Sequence, residues 1–505
     1  MLLRSGIIVA FFTLISRFFG LARELFIAAT FGTSFIADCV NVAFKFPNLF
    51  RRIFGEGALS AVFVPMFSEK LIGSEEEARQ FSGKIFSLLL LTLTILTIIL
   101  QITMPYLMVF IAPGFFVNPE KFELAVTLCR ITIPYVIFVS ITALFGGMLN
   151  SVKKFAAFAF VPVIMNISII GITPLLQGTH TPEFGVAYSL IIAGILQVTF
   201  MYYCLIRANL KLPLLFTPKD KEVRTLLNKM GPATMGSGAQ QLNLFISQSI
   251  ASFVPGAVSI LSYAERLYQL PMSIIGVTFG TILLPELSQI YKKKQPGVAN
   301  ALQNKAIKMA SIISFPAMCG LFVLAGPIIH FIYERGEFSA DDTIQTSYAL
   351  MAFSLGLPAF ILAKILVPIF YANLDTKTPF KITVYSMIAN ISLNILFMIP
   401  FGQVGIALGS SVAAWFNVYL LNKYAEQHGG FQIDITTRLF AFKVIIGSVL
   451  MSAFIIMIKY YFNDLFYSDH FITKAAMLFG TMGSAVIIFI IFSYFFKLHR
   501  VLYEK

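Results

Sequence analysis

The stretch Phe35-Ile-Ala-Asp38-Cys-Val-Asn41-Val-Ala-Phe-Lys45-Phe-Pro47-Asn48-Leu-Phe-Arg51-Arg52 is apolar enough for a lipid bilayer yet carries a polar row along one side. Asp38, Asn41, Lys45, Asn48 and Arg52 succeed one another at steps of three, four, three and four, which is one face of an α-helix. Arg51 flanks that row and Glu56 extends it. Each ionisable group inside a membrane span costs roughly 2.5–3.5 kcal/mol on insertion scales, so such a face must line water or meet another helix. Pro47 removes a backbone donor in the middle of the stripe and is expected to bend the helix there.

The chain around this segment is equally apolar. Of its 505 residues, 58% are hydrophobic and only 12% charged. A soluble domain is about a quarter charged, so a soluble enzyme is excluded, as are collagen-like and disordered chains. The apolar runs are long and continuous, not the short alternating segments of a β-barrel. At roughly 20 residues per crossing, they give fourteen expected spans: 5–31, 36–68, 83–112, 122–149, 155–176, 184–206, 221–253, 256–290, 300–333, 341–372, 379–399, 403–425, 436–462 and 471–497. The expected fold class is an all-α polytopic membrane protein.

The net charge of +13 sits mostly in alternate loops. Lys70, Arg79 and Lys84 mark one, Lys153 and Lys154 the next, and Arg207, Lys211, Lys219, Lys221, Arg224 and Lys229 a third. Residues 32–37, 177–183, 254–255 and 400–402 contain no Lys or Arg. By the positive-inside rule both termini are expected in the cytoplasm. The first apolar stretch carries Arg17 and Arg23 and lacks a small-residue cleavage site, so it reads as the first span and not a signal peptide. Cys39, Cys129, Cys204 and Cys319 are scattered through apolar runs, and the five histidines show no ligand spacing. No metal or cofactor is expected.

The sequence also repeats at about 220 residues. Phe46-Pro47 returns as Leu270-Pro271, Pro65 as Pro285, Asn166-Ile-Ser168 as Asn390-Ile-Ser392, and Gly185-Val-Ala187 as Gly405-Ile-Ala407. Six spans per repeat is an even number, so the halves have the same orientation. The expected architecture is two parallel six-helix lobes around a central cavity, 1–206 and 221–425. A basic connector, 207–229, joins them and runs into the seventh helix, and two extra helices occupy 436–505. Parallel repeats with a cavity between them suit alternating access.

Cations outnumber acids on the polar faces. The first span places Ser16, Gly20 and Arg23 on one face with Arg17 and Glu24 beside it. In the second repeat Ser259, Ser262, Arg266 and Gln269 share a face just before Pro271. Counting these faces, Arg17, Arg23, Lys45, Arg51, Arg52 and Arg266 stand against Glu24, Asp38, Glu56 and Glu265. Internal pairing, such as Arg17 with Glu24 or Arg266 with Glu265 or Asp38, would leave cations over. Surplus guanidinium suits an anion, and its fork matches phosphate or pyrophosphate.

Three stretches, Ser16-Arg17-Phe-Phe-Gly20-Leu-Ala-Arg23-Glu24, Phe46-Pro47-Asn48-Leu49-Phe50-Arg51-Arg52 and Ala264-Glu265-Arg266-Leu-Tyr-Gln-Leu-Pro271, resemble the MurJ (MviN) family of bacterial lipid II flippases. These belong to the multidrug/oligosaccharidyl-lipid/polysaccharide exporter superfamily. The resemblance runs the length of the chain. It implies a substrate, undecaprenyl-pyrophosphate carrying the disaccharide-pentapeptide of peptidoglycan, moved from the inner to the outer leaflet of the bacterial cytoplasmic membrane. It implies cavity arginines at Arg17, Arg23, Arg51 and Arg266, with a cavity acid at Asp38 and with Arg52, Ser16 and Ser259 on the same faces. It further implies a groove for the polyprenyl tail on the two extra helices. Its partners are lipid II and membrane lipids, not nucleic acid, and the chain is read as a monomer.

Two positions depart from the family's pattern. Gln269 stands where members can carry an acid. Positions matching a sodium site of some members are Asn243, Asn390, Asn394 and Ser410. This is at most a weak cation site, because buried asparagines without a carboxylate favour hydrogen bonds between helices. Other readings are a cation-coupled drug or oligosaccharide exporter, an intramembrane enzyme and a cell-wall scaffold. The first needs an acidic cavity, and the second needs a carboxylate cluster that is missing from the sequence. The third gives no reason for arginines at membrane depth.

Overall fold

The computed structural model describes residues 2–50, 60–176, 181–210, 212–217, 220–293 and 295–502. Among them the secondary structure is helical throughout. The helices are α1 (Leu2–Phe31), α2 (Phe35–Phe50), α3 (Ser60–Gly73), α4 (Glu75–Ile111), α5 (Pro119–Thr132), α6 (Tyr135–Ser151), α7 (Phe155–Leu176), α8 (Pro182–Arg207) and α9 (Lys221–Ala251). They continue as α10 (Ala257–Lys292), α11 (Pro296–Val323), α12 (Ala325–Tyr333), α13 (Ala340–Ser354), α14 (Leu357–Ala372), α15 (Lys377–Gly429), α16 (Ile435–Tyr461), α17 (Asn463–Phe466) and α18 (Phe471–Phe495). Among the described residues nine stretches are long and apolar enough to cross a membrane.

The chain is thus a polytopic helical membrane protein, and its helices occupy the expected intervals with breaks that have local causes. The interval 122–149 is two helices, α5 and α6, separated at Ile133-Pro134. The interval 341–372 divides likewise into α13 and α14 just before Pro358. Proline cannot donate to the preceding turn, so each helix ends and restarts. The intervals 379–399 and 403–425 appear as one helix, α15, broken by non-helical backbone at Gly402 (φ 54°, ψ −131°) after Pro400. The 36–68 interval contains α2 and α3, and its middle lies outside the described residues.

The internal repeat is visible in the backbone. Left-handed corners occur at Gly32 and Gly256, 224 residues apart, at Lys153 and Leu374, 221 apart, and at Asn209 and Gly430, 221 apart. The helix-breaking Pro134 and Pro358 are also 224 apart. The packing repeats as well. Gly185 on α8 lies against Thr173 on α7, and Gly405 lies against Phe397 in the antiparallel limbs of α15.

Two compact units divide the chain at Val258/Ser259. In the first, α7 packs on α1 and α8, α2 on α5, and α3 on α4 and α6. Its core includes Phe63, Phe67 and Phe81, with parallel ring stacking. The segment before α9 is fastened to α4. Leu215 N–H donates to Ser87 Oγ (3.0 Å), and the backbone of Pro213 rests directly on Gly83, where a side chain would collide. Lys84 pairs with Asp220 (2.7 Å), and Lys70 pairs with Glu222. In the second unit α11 packs on α14 and α16, α13 and α14 on α15, and α16 on α18.

Candidate functional site

The stripe that opened the sequence reading is a real face of α2. Val42, Ala43, Phe44 and Phe46 are buried, whereas Asn41, Lys45 and Asn48 remain partly open. Asn41 and Asn48 donate to carbonyls one turn back, Ala37 O and Phe44 O, both at 2.9 Å. Pro47 offers no N–H to the Ala43 carbonyl. That carbonyl instead accepts from Thr132 Oγ1 of α5 at 3.0 Å. The proline therefore ties α2 to α5, and the backbone remains satisfied away from water.

Asp38 leaves the open face and is fully buried. Its Oδ2 accepts from Lys121 Nζ (2.7 Å) and from the backbone N–H of Gly256 (3.1 Å). Lys121 Nζ also sits 4.1 Å from the centre of the Phe115 ring, a favourable cation–π placement. Lys121 was not a residue the sequence reading singled out. It sits at the edge of an expected span, where a lysine reads as reaching for solvent, and its partner is distant in the chain.

On α1, Arg23 is nearly buried and paired. Nη2 donates to Glu24 Oε1 (2.6 Å) and Nη1 to Asn166 Oδ1 of α7 (3.1 Å). The guanidinium lies 5.7 Å from the Phe44 ring. Arg23 Nε has no hydrogen-bond partner among the described residues. Asn166 in turn donates to the Ser16 carbonyl (3.2 Å), so one amide reads both ends of the Ser16–Arg23 face. Glu24 offsets this arginine, which makes Arg23 an anchored group within the α1–α7 contact. Arg17, by contrast, is exposed on α1. Arg51 and Arg52 lie outside the described residues.

In the second unit Ser259 is fully buried, Ser262 and Gln269 are half-buried, and Arg266 is exposed. Gln269 Nε2 donates to Glu265 Oε1 at 2.8 Å. Tyr263, Ala264, Leu267 and Tyr268 form the buried side of the same helix. Each unit thus presents an exposed arginine from a helix whose neighbouring turns carry buried residues, Glu24 and Ile27 on α1 and Tyr263 and Leu267 on α10.

The family model for "Lipid II flippase MurJ" matches residues 27–476. A probable lipid II flippase MurJ of Rickettsia prowazekii (strain Madrid E) is 53% identical over 496 residues, covering 98% of each chain. The chain belongs to the MurJ family. A second relative, a probable lipid II flippase MurJ of Rhizobium tropici, is 36% identical and covers 96% of this chain and 92% of its own. Among solved structures, a lipid II flippase MurJ in an inward closed conformation matches with a TM-score of 0.81 and 30% identity, covering 99% of this chain and all of that one. An inward-facing multidrug transporter of the MATE family matches with a TM-score of 0.69 at 15% identity, over 84% of this chain and 98% of its own. That likeness concerns the fold alone.

The MurJ resemblance directs attention to Asn243, Asn390, Asn394 and Ser410. The last three form a closed ring across the α15 hairpin. Asn390 donates to Ser410 (3.2 Å), Ser410 to Asn394 Oδ1 (3.5 Å), and Asn394 to Asn390 Oδ1 (3.2 Å). Each oxygen of the ring is already engaged and the ring itself has no carboxylate, so it fits a neutral clasp between two helix limbs better than a cation site. Asn243 on α9 keeps a buried Oδ1 with no partner among the described residues. Among those residues no group of three or more His, Cys, Asp and Glu could hold a metal ion.

Proposed function

We propose that this protein flips lipid II across the bacterial cytoplasmic membrane, from the inner to the outer leaflet, by alternating access. The observation that carries the reading is the end-to-end match to lipid II flippases, at 53% identity for one of them. The chemistry agrees with it. Arg17 and Arg266 are the exposed arginines of the α1 and α10 polar faces, and a guanidinium binds a phosphate bidentately. In this reading they receive the pyrophosphate, with Arg51 and Arg52 contributing as well. Arg23 and Asp38 act by positioning: the first fixes α1 to α7, the second α2 to Lys121.

The two lobes that rock are taken as 1–206 and 221–425, with 207–229 as connector. The helices of 436–505 accommodate the polyprenyl tail. Supporting that role, α16 and α18 pack on one another and still expose Phe442, Leu450, Ile487 and Ile491. Both termini are taken as cytoplasmic, a reading the loop charges support, and in this reading the protein works without catalysis, cofactor or a second subunit.

The test is the fraction of lipid-linked precursor exposed on the outer leaflet in bacteria depleted of their own flippase. The wild-type chain should restore exposure, while Arg17→Ala and Arg266→Ala should not, at equal membrane abundance. Full exposure with both variants would remove the arginines from the mechanism. Failure of the wild type despite membrane insertion would remove lipid II as the substrate.

A further inference from the structure

We propose that the corner between α6 and α7 holds an anionic phospholipid, with its headgroup on Lys153, Lys154 and Arg207. A pocket of about 660 Å³ opens here among the ends of α1, α6, α7 and α8, within the usual size of a small-molecule site. Its rim carries the three cations, and no carboxylate lines it. Below the rim Phe12, Phe160 and Phe200 form an aromatic wall, with ring centres 5.4 Å and 5.5 Å apart along the row. A charged mouth above an apolar floor, on a protein that lives in lipid, matches a phosphate headgroup with its acyl chains.

Lys154 and Arg207 are held in place, and all three cations stay unneutralised. Lys154 Nζ donates to the Arg207 carbonyl at 3.3 Å, which keeps two like charges at one corner. Arg207 lies 5.1 Å from the Tyr203 ring centre. None of the three is in an ion pair with a carboxylate among the described residues. Three close cations without an acid call for an external anion.

The repeat supplies an internal control. Lys153 adopts a left-handed backbone (φ 62°), and its counterpart Leu374 does the same (φ 60°). The fold therefore requires the corner twice, but only the first corner has the Lys153-Lys154 pair. The second has Leu374-Asp375, and Asp375 Oδ1 accepts the N–H groups of Lys377 and Thr378 at 3.0 Å. The second corner sets the Asp375 carboxylate beside the exposed Lys377, whereas the first carries two exposed lysines and no carboxylate. The loop charges assign this mouth to the inner leaflet. Binding itself does not depend on that assignment, nor on which substrate is flipped.

The experiment is titration of the purified full-length chain in detergent with phosphatidylglycerol or phosphatidylcholine. Binding is read by native mass spectrometry and by thermal stabilisation. Phosphatidylglycerol should bind in preference. Lys154→Gln with Arg207→Gln should weaken it about twenty-fivefold, at about fivefold per cation. Lys292→Gln with Lys293→Gln, an equal loss of charge elsewhere, should leave it unchanged. Ala157→Trp keeps every cation but fills the pocket, and should also abolish binding. Equal binding of the two lipids, or equal loss in the control variant, overturns the proposal. So does undecaprenyl pyrophosphate binding this corner more tightly than phosphatidylglycerol, which would make it an entry point for substrate.

Discussion

Lys121 Nζ lies 2.7 Å from Asp38 Oδ2, with both side chains almost wholly withdrawn from solvent. Two opposite charges withdrawn from water compensate each other, and removing one strands the other. Lys121→Met should therefore destabilise the protein by about 3–5 kcal/mol. Adding Asp38→Asn to that variant should recover most of the loss, because the remaining neutral amide can still accept from Gly256 N–H. Thermal unfolding in detergent of the single and double variants measures this. A Lys121→Met protein as stable as wild type would show that the pair is not structural.

The Thr132 hydroxyl and Pro47 should be coupled in the same sense. Thr132→Val leaves the Ala43 carbonyl buried without a donor, at a cost of about 1–3 kcal/mol. Pro47→Ala restores an N–H one turn below that carbonyl, so the loss from Thr132→Val should shrink in the Pro47→Ala background. A double-mutant cycle of unfolding free energies reads the coupling. Strict additivity of the two changes would mean that the carbonyl is satisfied by other means.

These two contacts also mark where sequence reading stops. The intervals of the spans were legible because hydropathy is a contiguous signal, and the α2 face because Asn41, Lys45 and Asn48 keep helical spacing. The repeat was legible through Pro47/Pro271 and Gly185/Gly405, residues with special backbone requirements. The partner of Asp38 was not legible. Periodicity orients a side chain around its own helix but leaves the rotation and depth of the neighbouring helix open. Lys121 is 83 positions from Asp38, and Asn166 is 143 from Arg23. The same limit applies to Arg23. As an isolated letter it counts with the surplus cations, while the folded chain gives it Glu24 and Asn166.

The segment before α9 should release from α4 only in acid. The hydrogen bond from Lys84, followed by that from the Glu222 backbone N–H, holds the Asp220 carboxyl below its ordinary value. A depressed folded-state value means that the stabilisation is complete above the ordinary carboxylate range and fades as pH falls through the lower, folded value. Hydrogen exchange in residues 212–217 should thus be flat from about pH 5 to 8, once corrected for intrinsic exchange. Asp220→Asn should raise it at neutral pH. Unchanged exchange in that variant would transfer the fastening to Lys70–Glu222 and the Ser87 contact alone.

Gly405 and Gly185 are repeat counterparts with different room around them, so the same substitution should separate them. A methyl group on Gly405 would run into the Phe397 carbonyl and the following peptide, which are backbone and cannot rotate away. On Gly185 the nearest atoms are Thr173 Cγ2 and O, at 3.4 Å, the edge of ordinary contact. Gly405→Ala must therefore push apart the two limbs of the α15 hairpin and disturb the Asn390–Ser410–Asn394 ring a turn away. An overpacked site of this kind costs about 1–3 kcal/mol. Gly185→Ala should cost much less. Comparing the melting temperatures of the two variants tests this directly. If Gly185→Ala proved the more damaging, the α7–α8 contact would have to be the tighter of the two, contrary to the 3.4 Å clearance at Gly185.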